Sequence, residues 1–203
     1  MFVAALETAA LLSEETPVRG LLRERLLALL TALEHHAGYV AGHSVSVSEL
    51  AVAIGRSIGI GGDDLELVAL GALVHDIGKV FIDGSVLAKR TPLSTAQWNM
   101  IRLHPTLGEA LLAPTLTDPA VLAIVRSHHE RWDGAGYPDG LSGEKTPLAA
   151  RIVAAADAYR AMREPRAYRP PLSEDAALTE LDRKSWTQFD GACVRVLADL
   201  APG

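Results

Sequence analysis

Five histidines and two aspartates of this 203-residue chain carry side chains that bind transition metals. Where they are not adjacent they recur about every thirty residues, as His43, His75, Asp76, His104, His128, His129 and Asp157. Imidazoles and carboxylates suit manganese, iron and zinc, but seven donors exceed what one tetrahedral zinc accepts. The set therefore predicts a centre that binds two divalent metal ions.

Charge and composition limit the ligands of such a centre. The formal net charge of −6 and the pI near 5.6 argue against binding of a nucleic acid polymer and favour a small ligand. The leucine-rich run 26–33 is too short to cross a bilayer, and no leader is evident. The single cysteine, Cys193, cannot form an internal disulfide. We therefore expect a cytoplasmic protein with no membrane segment.

The elements that must position the donors are helices. Apolar residues follow a helical spacing within 47–58 and again within 65–73. Ser94 and Gln97 form a capping box, and Asp118 and Thr146 precede prolines at expected helix starts. No sustained alternation indicates a strand. We predict a compact all-α bundle of about seven to nine helices around a buried metal centre, with a helical extension over 1–35 and the main domain over 36–203.

The predicted helices place the first donors at helix ends. His43 follows a glycine and opens a helix, whereas His75 and Asp76 close the next one. Gly78, just beyond them, suits the left-handed turn that ends many helices. These three donors should therefore meet where one helix begins and another ends.

The remaining donors follow the same rule with one exception. His104 precedes Pro105, where we expect its helix to end. His128 and His129 end the helix that starts near residue 118. Asp157 lies inside a later helix among alanines, so its carboxylate would be buried and would require a partner or a metal. Four or more helices would thus direct donors at one point.

Four motifs in order give the chain a family resemblance. They are His75-Asp76-Ile77-Gly78-Lys79, His104-Pro105 with Gly108, His128-His129-Glu130-Arg131-Trp132-Asp133-Gly134, and Gly136-Tyr137-Pro138 followed by Asp139-Gly140-Leu141-Ser142-Gly143. Over about 39–181 the chain resembles the HD-GYP branch of the HD-domain metal phosphohydrolases. The resemblance implies an all-helical HD domain with two or three metals. It also implies hydrolysis of cyclic di-GMP to the linear dinucleotide pGpG and, in some members, on to GMP.

The resemblance also implies roles for individual residues. Asp76 would bridge two ions, iron or manganese, whose bridging hydroxide attacks the phosphodiester. Lys79 would act beside it, on the phosphate or the bridging solvent. The remaining ligands would be His43, His75 and Asp157 for one ion and His104, His128 and His129 for the other. A lysine that only satisfies a helix end is the alternative for Lys79.

The loop Gly136-Tyr137-Pro138 would shape the substrate site by the same resemblance. Tyr137 or Trp132 could stack on a guanine, and the loop could also dock diguanylate cyclases, the GGDEF proteins. A purely structural loop is the alternative. Arg166 and Arg169 resemble the paired basic residues that contact cyclic di-GMP, and guanidinium groups suit both phosphate and a guanine edge.

Three positions depart from the family pattern. Tyr39 replaces a glutamate that binds a third metal in some members, which favours two metals over three. Ser46 replaces the usual arginine three residues after the first histidine. Arg160 replaces an acid in the run that begins at Asp157. If Arg160 points inward, it would remove a hydrogen-bond acceptor near the metals and lower metal affinity or rate.

We therefore predict a metal-dependent cyclic di-GMP phosphodiesterase. One alternative is a protein that has lost hydrolysis through Ser46 and Arg160 and acts as a cyclic di-GMP receptor or scaffold. The other is an HD-domain hydrolase of a different nucleotide, against which the Gly136-Tyr137-Pro138 run argues.

Overall fold

The computed structural model describes residues 26, 28–33, 35, 36, 42–116, 118–165 and 170–201. From residue 42 onward, the described chain forms nine α-helices: α1 His43–Ile58, α2 Gly62–Val74, α3 Gly84–Leu87, α4 Thr95–Ile101, α5 His104–Leu112, α6 Pro119–Ser127, α7 Leu148–Arg163, α8 Glu174–Arg183 and α9 Gly191–Leu200. Two 3₁₀ turns, Ile77–Phe81 and Gly143–Lys145, join them. The predicted all-α fold is confirmed. Most of the predicted extension over 1–35 lies outside the described residues, so its boundary stays a prediction.

Side-chain caps explain two predicted helix starts, and a third predicted cap is wrong. Ser94 and Gln97 form the predicted capping box at α4, and the Asp118 carboxylate accepts the backbone N–H of Ala120 at α6. Thr146 does not cap α7, because Pro147 occupies the N-cap position. The Thr146 hydroxyl is one residue too early to reach the free N–H groups of the first turn.

Gly78 and Pro105 act differently from the prediction. Gly78 does not adopt the left-handed conformation; it lies in the 3₁₀ turn after α2. A Cβ there would lie 2.0 Å from the carbonyl oxygen of His104 and 2.6 Å from the backbone nitrogen of Gly108. Pro105 lies in the first turn of α5, where its missing N–H is not needed, so His104 begins a helix and does not end one.

The helices pack in an order that brings the predicted donors together. α1 packs against α2 and α7, α2 also contacts α6, and α5 packs against α6 and the first 3₁₀ turn. One core cluster lies among α1, α2, α6, α7, α8 and α9, and a second contains Leu26, Leu30 and Leu33 with apolar residues of α1, α2, α5 and α6. The start of α1, the ends of α2 and α6, the start of α5 and the middle of α7 therefore converge.

Among the described residues, no helix combines the length and the apolar character that crossing a bilayer requires.

Candidate metal centre

The seven predicted donors lie in two adjacent groups. The four-residue group consists of Asp76, His104, His128 and His129. The three-residue group consists of His43, His75 and Asp157. Within each group, one nitrogen or oxygen of every side chain lies within 4.8 Å of the others. Asp76 joins the groups: its Oδ1 lies 3.3 Å from His104 Nε2 and its Oδ2 lies 3.5 Å from His75 Nε2.

Three histidine rings are oriented by their own local backbone. The Nδ1 atoms of His75, His104 and His128 lie 2.6, 2.7 and 2.7 Å from the carbonyl oxygen three residues earlier. These carbonyls belong to the last turns of α2, α4 and α6, where helix carbonyls lack a partner in the helix. An Nδ1–H donated to such a carbonyl leaves Nε2 as the free nitrogen that faces the site.

Two buried atoms at the junction of the groups fit metal binding. His75 Nε2 and Asp76 Oδ1 make no hydrogen bond within the part of the chain that the structure describes. Buried polar atoms without partners are costly, and both atoms are donors that a divalent ion accepts. Lys79 Nζ lies 2.5 Å from Asp76 Oδ2. Burial opposes ionisation of Asp76, but Lys79 and His75 hold its pKa well below the usual range.

His43 is held by two carboxylates. Its Nε2 lies 3.0 Å from Oδ1 of Asp157, and its Nδ1 lies 2.9 Å from Oε2 of Glu164. Burial disfavours the charged imidazole, but hydrogen bonds to Asp157 and Glu164 outweigh it and raise the pKa of His43 to about 9. The prediction missed Glu164, because it lies 121 residues from His43 and belongs to no motif.

His128 and His129 have the opposite electrostatic setting. Burial, reinforced by the neighbouring histidines, lowers the pKa of His128 well below its usual value. Burial and then the charge of His104 lower the pKa of His129 to about 3. Both imidazoles are therefore neutral at pH 7 without a metal, which is the form that coordinates an ion.

Tyr137 covers the side of the centre formed by His129. The two rings stack with centroids 4.9 Å apart, and the Arg102 guanidinium carbon lies 5.5 Å from the Tyr137 centroid. Trp132 instead packs edge-on against Trp186, with centroids 5.0 Å apart. Of the two aromatic residues predicted to stack on a base, Tyr137 is the one in contact with a predicted donor. Arg102 was not predicted.

A buried carboxylate anchors the loop that carries Tyr137. Glu130 accepts the backbone N–H groups of Asp139, Gly140 and Leu141 at 2.7, 3.0 and 3.0 Å. At Gly136, a Cβ would lie 2.4 Å from the backbone nitrogen of Arg131, so the chain requires glycine there. The sequence signal for Glu130 was present, as an acid directly after two histidines, but its role was not predicted.

Ser46 and Arg160, two of the three departures from the family pattern, contact each other. Arg160 Nε donates to the carbonyl oxygen of Ser46 at 3.1 Å. Ser46 Oγ lies 2.9 Å from the carbonyl oxygen of His43 and 3.3 Å from Oε1 of Glu164. The third departure, Tyr39, and the predicted substrate contacts Arg166 and Arg169 lie outside the described residues.

Comparisons with known proteins identify the family of the chain. The family model of the HD domain matches residues 25–193. The chain is 36% identical over 179 residues to the cyclic di-GMP phosphodiesterase response regulator RpfG of Xanthomonas campestris, covering 86% of this chain and 47% of the relative. It is 32% identical over 159 residues to 3'3'-cGAMP-specific phosphodiesterase 3 of Vibrio cholerae, covering 78% of this chain and 35% of the relative. The chain thus spans about half or less of these relatives' lengths.

The fold also resembles a solved structure. The HDG"Y"P protein Bd1817 from Bdellovibrio bacteriovorus superposes with a TM-score of 0.70 over 97% of this chain and 69% of its own, at 20% sequence identity. At this identity the likeness concerns the fold alone.

Proposed function

The chain belongs to the HD-domain family, and we propose that it is a metal-dependent phosphodiesterase that hydrolyses cyclic di-GMP. The observation that carries this proposal is a pair of buried donor atoms, His75 Nε2 and Asp76 Oδ1, which lie at the junction of the two donor groups and make no hydrogen bond to any described residue. Burying such atoms without partners costs free energy, which a bound divalent ion would offset.

The donor arrangement supports two ions. His43, His75 and Asp157 would hold one ion and His104, His128 and His129 the other, with Asp76 shared between them. Iron and manganese suit such nitrogen and oxygen ligands. When bound, the ions supply Lewis-acid activation of water and neutralise charge on the phosphate.

The chain's own residues support phosphodiester binding. Lys79 keeps Asp76 ionised and places a positive charge, with its side chain 23% exposed, beside the centre. Tyr137 places an aromatic ring beside the centre, packed on His129 and near the Arg102 guanidinium, and stacking of a base on it remains a prediction. Arg166 and Arg169 remain predicted contacts of the same substrate. Docking of GGDEF proteins on the Gly136-Tyr137-Pro138 loop also remains a prediction.

The choice of cyclic di-GMP rests on relatives. A 36% identical relative is named for cyclic di-GMP, whereas a 32% identical one is named for 3'3'-cGAMP. 3'3'-cGAMP is therefore the second candidate substrate, and it differs from the first in one base only. Both contain two phosphodiester groups, so the centre would act on either through the same chemistry.

The test is turnover by anaerobically purified protein loaded with Fe(II) or Mn(II). Both cyclic dinucleotides are offered, products are separated by chromatography, and binding is measured on the same samples. We expect about two ions per chain and conversion of cyclic di-GMP to pGpG. Full metal content in both His75→Ala and Asp76→Ala would exclude the proposed centre.

Two other outcomes would change the proposal. Faster turnover of 3'3'-cGAMP would replace the substrate and leave the centre intact. Binding of cyclic di-GMP by metal-loaded protein without turnover would instead identify a receptor or scaffold. Asp175→Asn, a change at an exposed acid of α8, is the matched control for the loss of Asp76.

A further inference from the structure

The His43 ring contacts carboxylates that are distant in sequence, whereas three other histidines of the centre contact carbonyls three residues earlier. His43 begins α1, so no preceding turn of that helix offers a carbonyl to its Nδ1. Glu164 Oε2, from the C-cap residue of α7, lies 2.9 Å from Nδ1. Nε2, on the other side of the ring, faces Asp157 at 3.0 Å.

Glu164 is itself held in place. Its side chain is 18% exposed, and its second oxygen lies 3.3 Å from Ser46 Oγ, whose single proton is shared between Glu164 and the carbonyl of His43. Arg160, one turn before Glu164 on α7, donates to the carbonyl of Ser46. The start of α1 and the end of α7 are thus joined by a continuous set of hydrogen bonds around the His43 ring.

We propose that Glu164 is a positioning residue for the metal centre: it accepts the Nδ1–H of His43, fixes the ring, and directs Nε2 at the ion. This inference rests on the proposed function. A carboxylate that accepts the second N–H of a ligand histidine fixes its tautomer and increases its basicity as a ligand. Ser46 and Arg160 fix the Glu164 carboxylate relative to the start of α1. These two departures from the family pattern therefore belong to the same set of hydrogen bonds.

The test compares Glu164→Ala and Glu164→Gln with Glu180→Gln, a change at a surface glutamate paired with Arg183 alone among the described residues. Mn²⁺ binding to the whole chain is titrated at fixed pH. We expect Glu164→Ala to weaken one of the bound ions by about 10–100-fold. Glu164→Gln should weaken it less, because the amide oxygen still accepts the Nδ1–H. Glu180→Gln should match the unsubstituted protein.

A second measurement separates positioning from general stability. In the Zn²⁺-loaded protein, long-range ¹H–¹⁵N spectra report which nitrogen of His43 carries the proton. We expect Nδ1–H in the unsubstituted protein and an altered Nδ1 signal in both Glu164 variants. A ring signal and Mn²⁺ affinity that stay unchanged in Glu164→Gln and Glu164→Ala would overturn the inference while leaving the proposed function intact.

The remaining outcomes are equally decisive. If the unsubstituted protein binds neither Mn²⁺ nor Fe(II), both the proposed function and this inference fail. If Glu164→Ala does not fold by circular dichroism, Glu164→Gln decides. Weaker Mn²⁺ binding in Glu164→Gln with an altered His43 signal supports positioning, whereas weaker binding with an unaltered signal overturns it.

Discussion

His43 at the start of α1 reaches the centre in a different way from His75, His104 and His128, whose rings contact carbonyls in the last turns of α2, α4 and α6. At the helix ends, His75, His104 and His128 each satisfy a carbonyl that the helix itself leaves without a partner. At the start of α1, His43 lies between the carboxylate of Asp157 on α7 and that of Glu164, the C-cap residue of α7. Local backbone geometry therefore orients one kind of ring, and long-range packing orients the other.

The difference also changes proton content. Burial without a carboxylate on each nitrogen leaves His128 and His129 neutral, whereas Asp157 and Glu164 keep His43 protonated at pH 7 when no metal is bound. The four-residue group thus contains imidazoles ready for an ion. The three-residue group must first release a proton from His43. The two halves of one centre should consequently load with metal under different conditions.

Loss of one histidine from each region should have the largest effect. We expect His128→Ala and His43→Ala each to lower phosphodiesterase turnover by more than about 100-fold, beyond what loss of an orienting partner costs. Each variant should retain about one ion by metal analysis, because the other group stays complete. His35→Ala, at an exposed histidine, is the control. Loss of both ions in His43→Ala would show that the two groups do not bind independently.

Gly78→Ala should damage the four-residue group selectively. The new Cβ would meet backbone atoms of His104 and Gly108, which cannot move aside as a flexible side chain can. We expect the free energy of unfolding to fall by about 3 kcal/mol, the upper range for overpacking. Gly61→Ala is the control, because Gly61 has an extended backbone and open space around its Cβ position. Equal urea midpoints for the two variants would contradict this prediction.

Glu130→Gln should alter substrate binding by the Gly136-Tyr137-Pro138 loop without altering metal binding. One of the three backbone N–H groups that Glu130 accepts would face an amide donor, at a cost of about 2 kcal/mol in unfolding free energy. Tyr137 should shift with the loop, so KM for the cyclic dinucleotide should rise while metal content stays constant. Glu144→Gln, at an exposed site, is the control. Loss of metal in Glu130→Gln would instead assign Glu130 to the centre.

The parts of the centre that depend on local sequence could be predicted. The helix start at Asp118 and the capping box at Ser94 follow from side chains near in sequence. The start of α1 directly after a glycine was predicted as well. The HD-domain family, recognised from ordered motifs, is confirmed. That donors would converge on one point was predicted from their places on the helices, and the structure brings the seven together in two adjacent groups.

The parts that depend on tertiary packing could not be predicted. Glu164 reaches His43 only because α7 packs against α1, and no spacing rule relates residues 121 apart. The need for glycine at Gly78 arises from contact with α5, not from its own backbone angle. The prediction that Thr146 caps α7 was wrong because Pro147 occupies the N-cap position. Local sequence preference does not determine a helix start to within one residue.

The pH dependence of metal binding tests the smallest expected difference between the three-residue group and the four-residue group. Because the pKa of His43 in the metal-free protein is about 9, its imidazole holds a proton at lower pH that an ion must displace. Affinity for the ion at the three-residue group should therefore rise about tenfold per pH unit from pH 6.5 toward 9 and then level off. The pKa of His129 is about 3, and that of His128 is also lowered, so these two rings add no such slope to the four-residue group.

Calorimetry of Mn²⁺ binding in buffers of different ionisation enthalpy would measure the protons released. We expect the protons released per chain to be fewer by about one at pH 10 than at pH 7, because the His43 imidazole is already neutral at pH 10. Glu164→Gln removes one of the two carboxylates that raise this pKa, so its proton release should end at lower pH. Release that persists unchanged at pH 10 in the unsubstituted protein would assign the proton to another group and remove the electrostatic difference between the two regions.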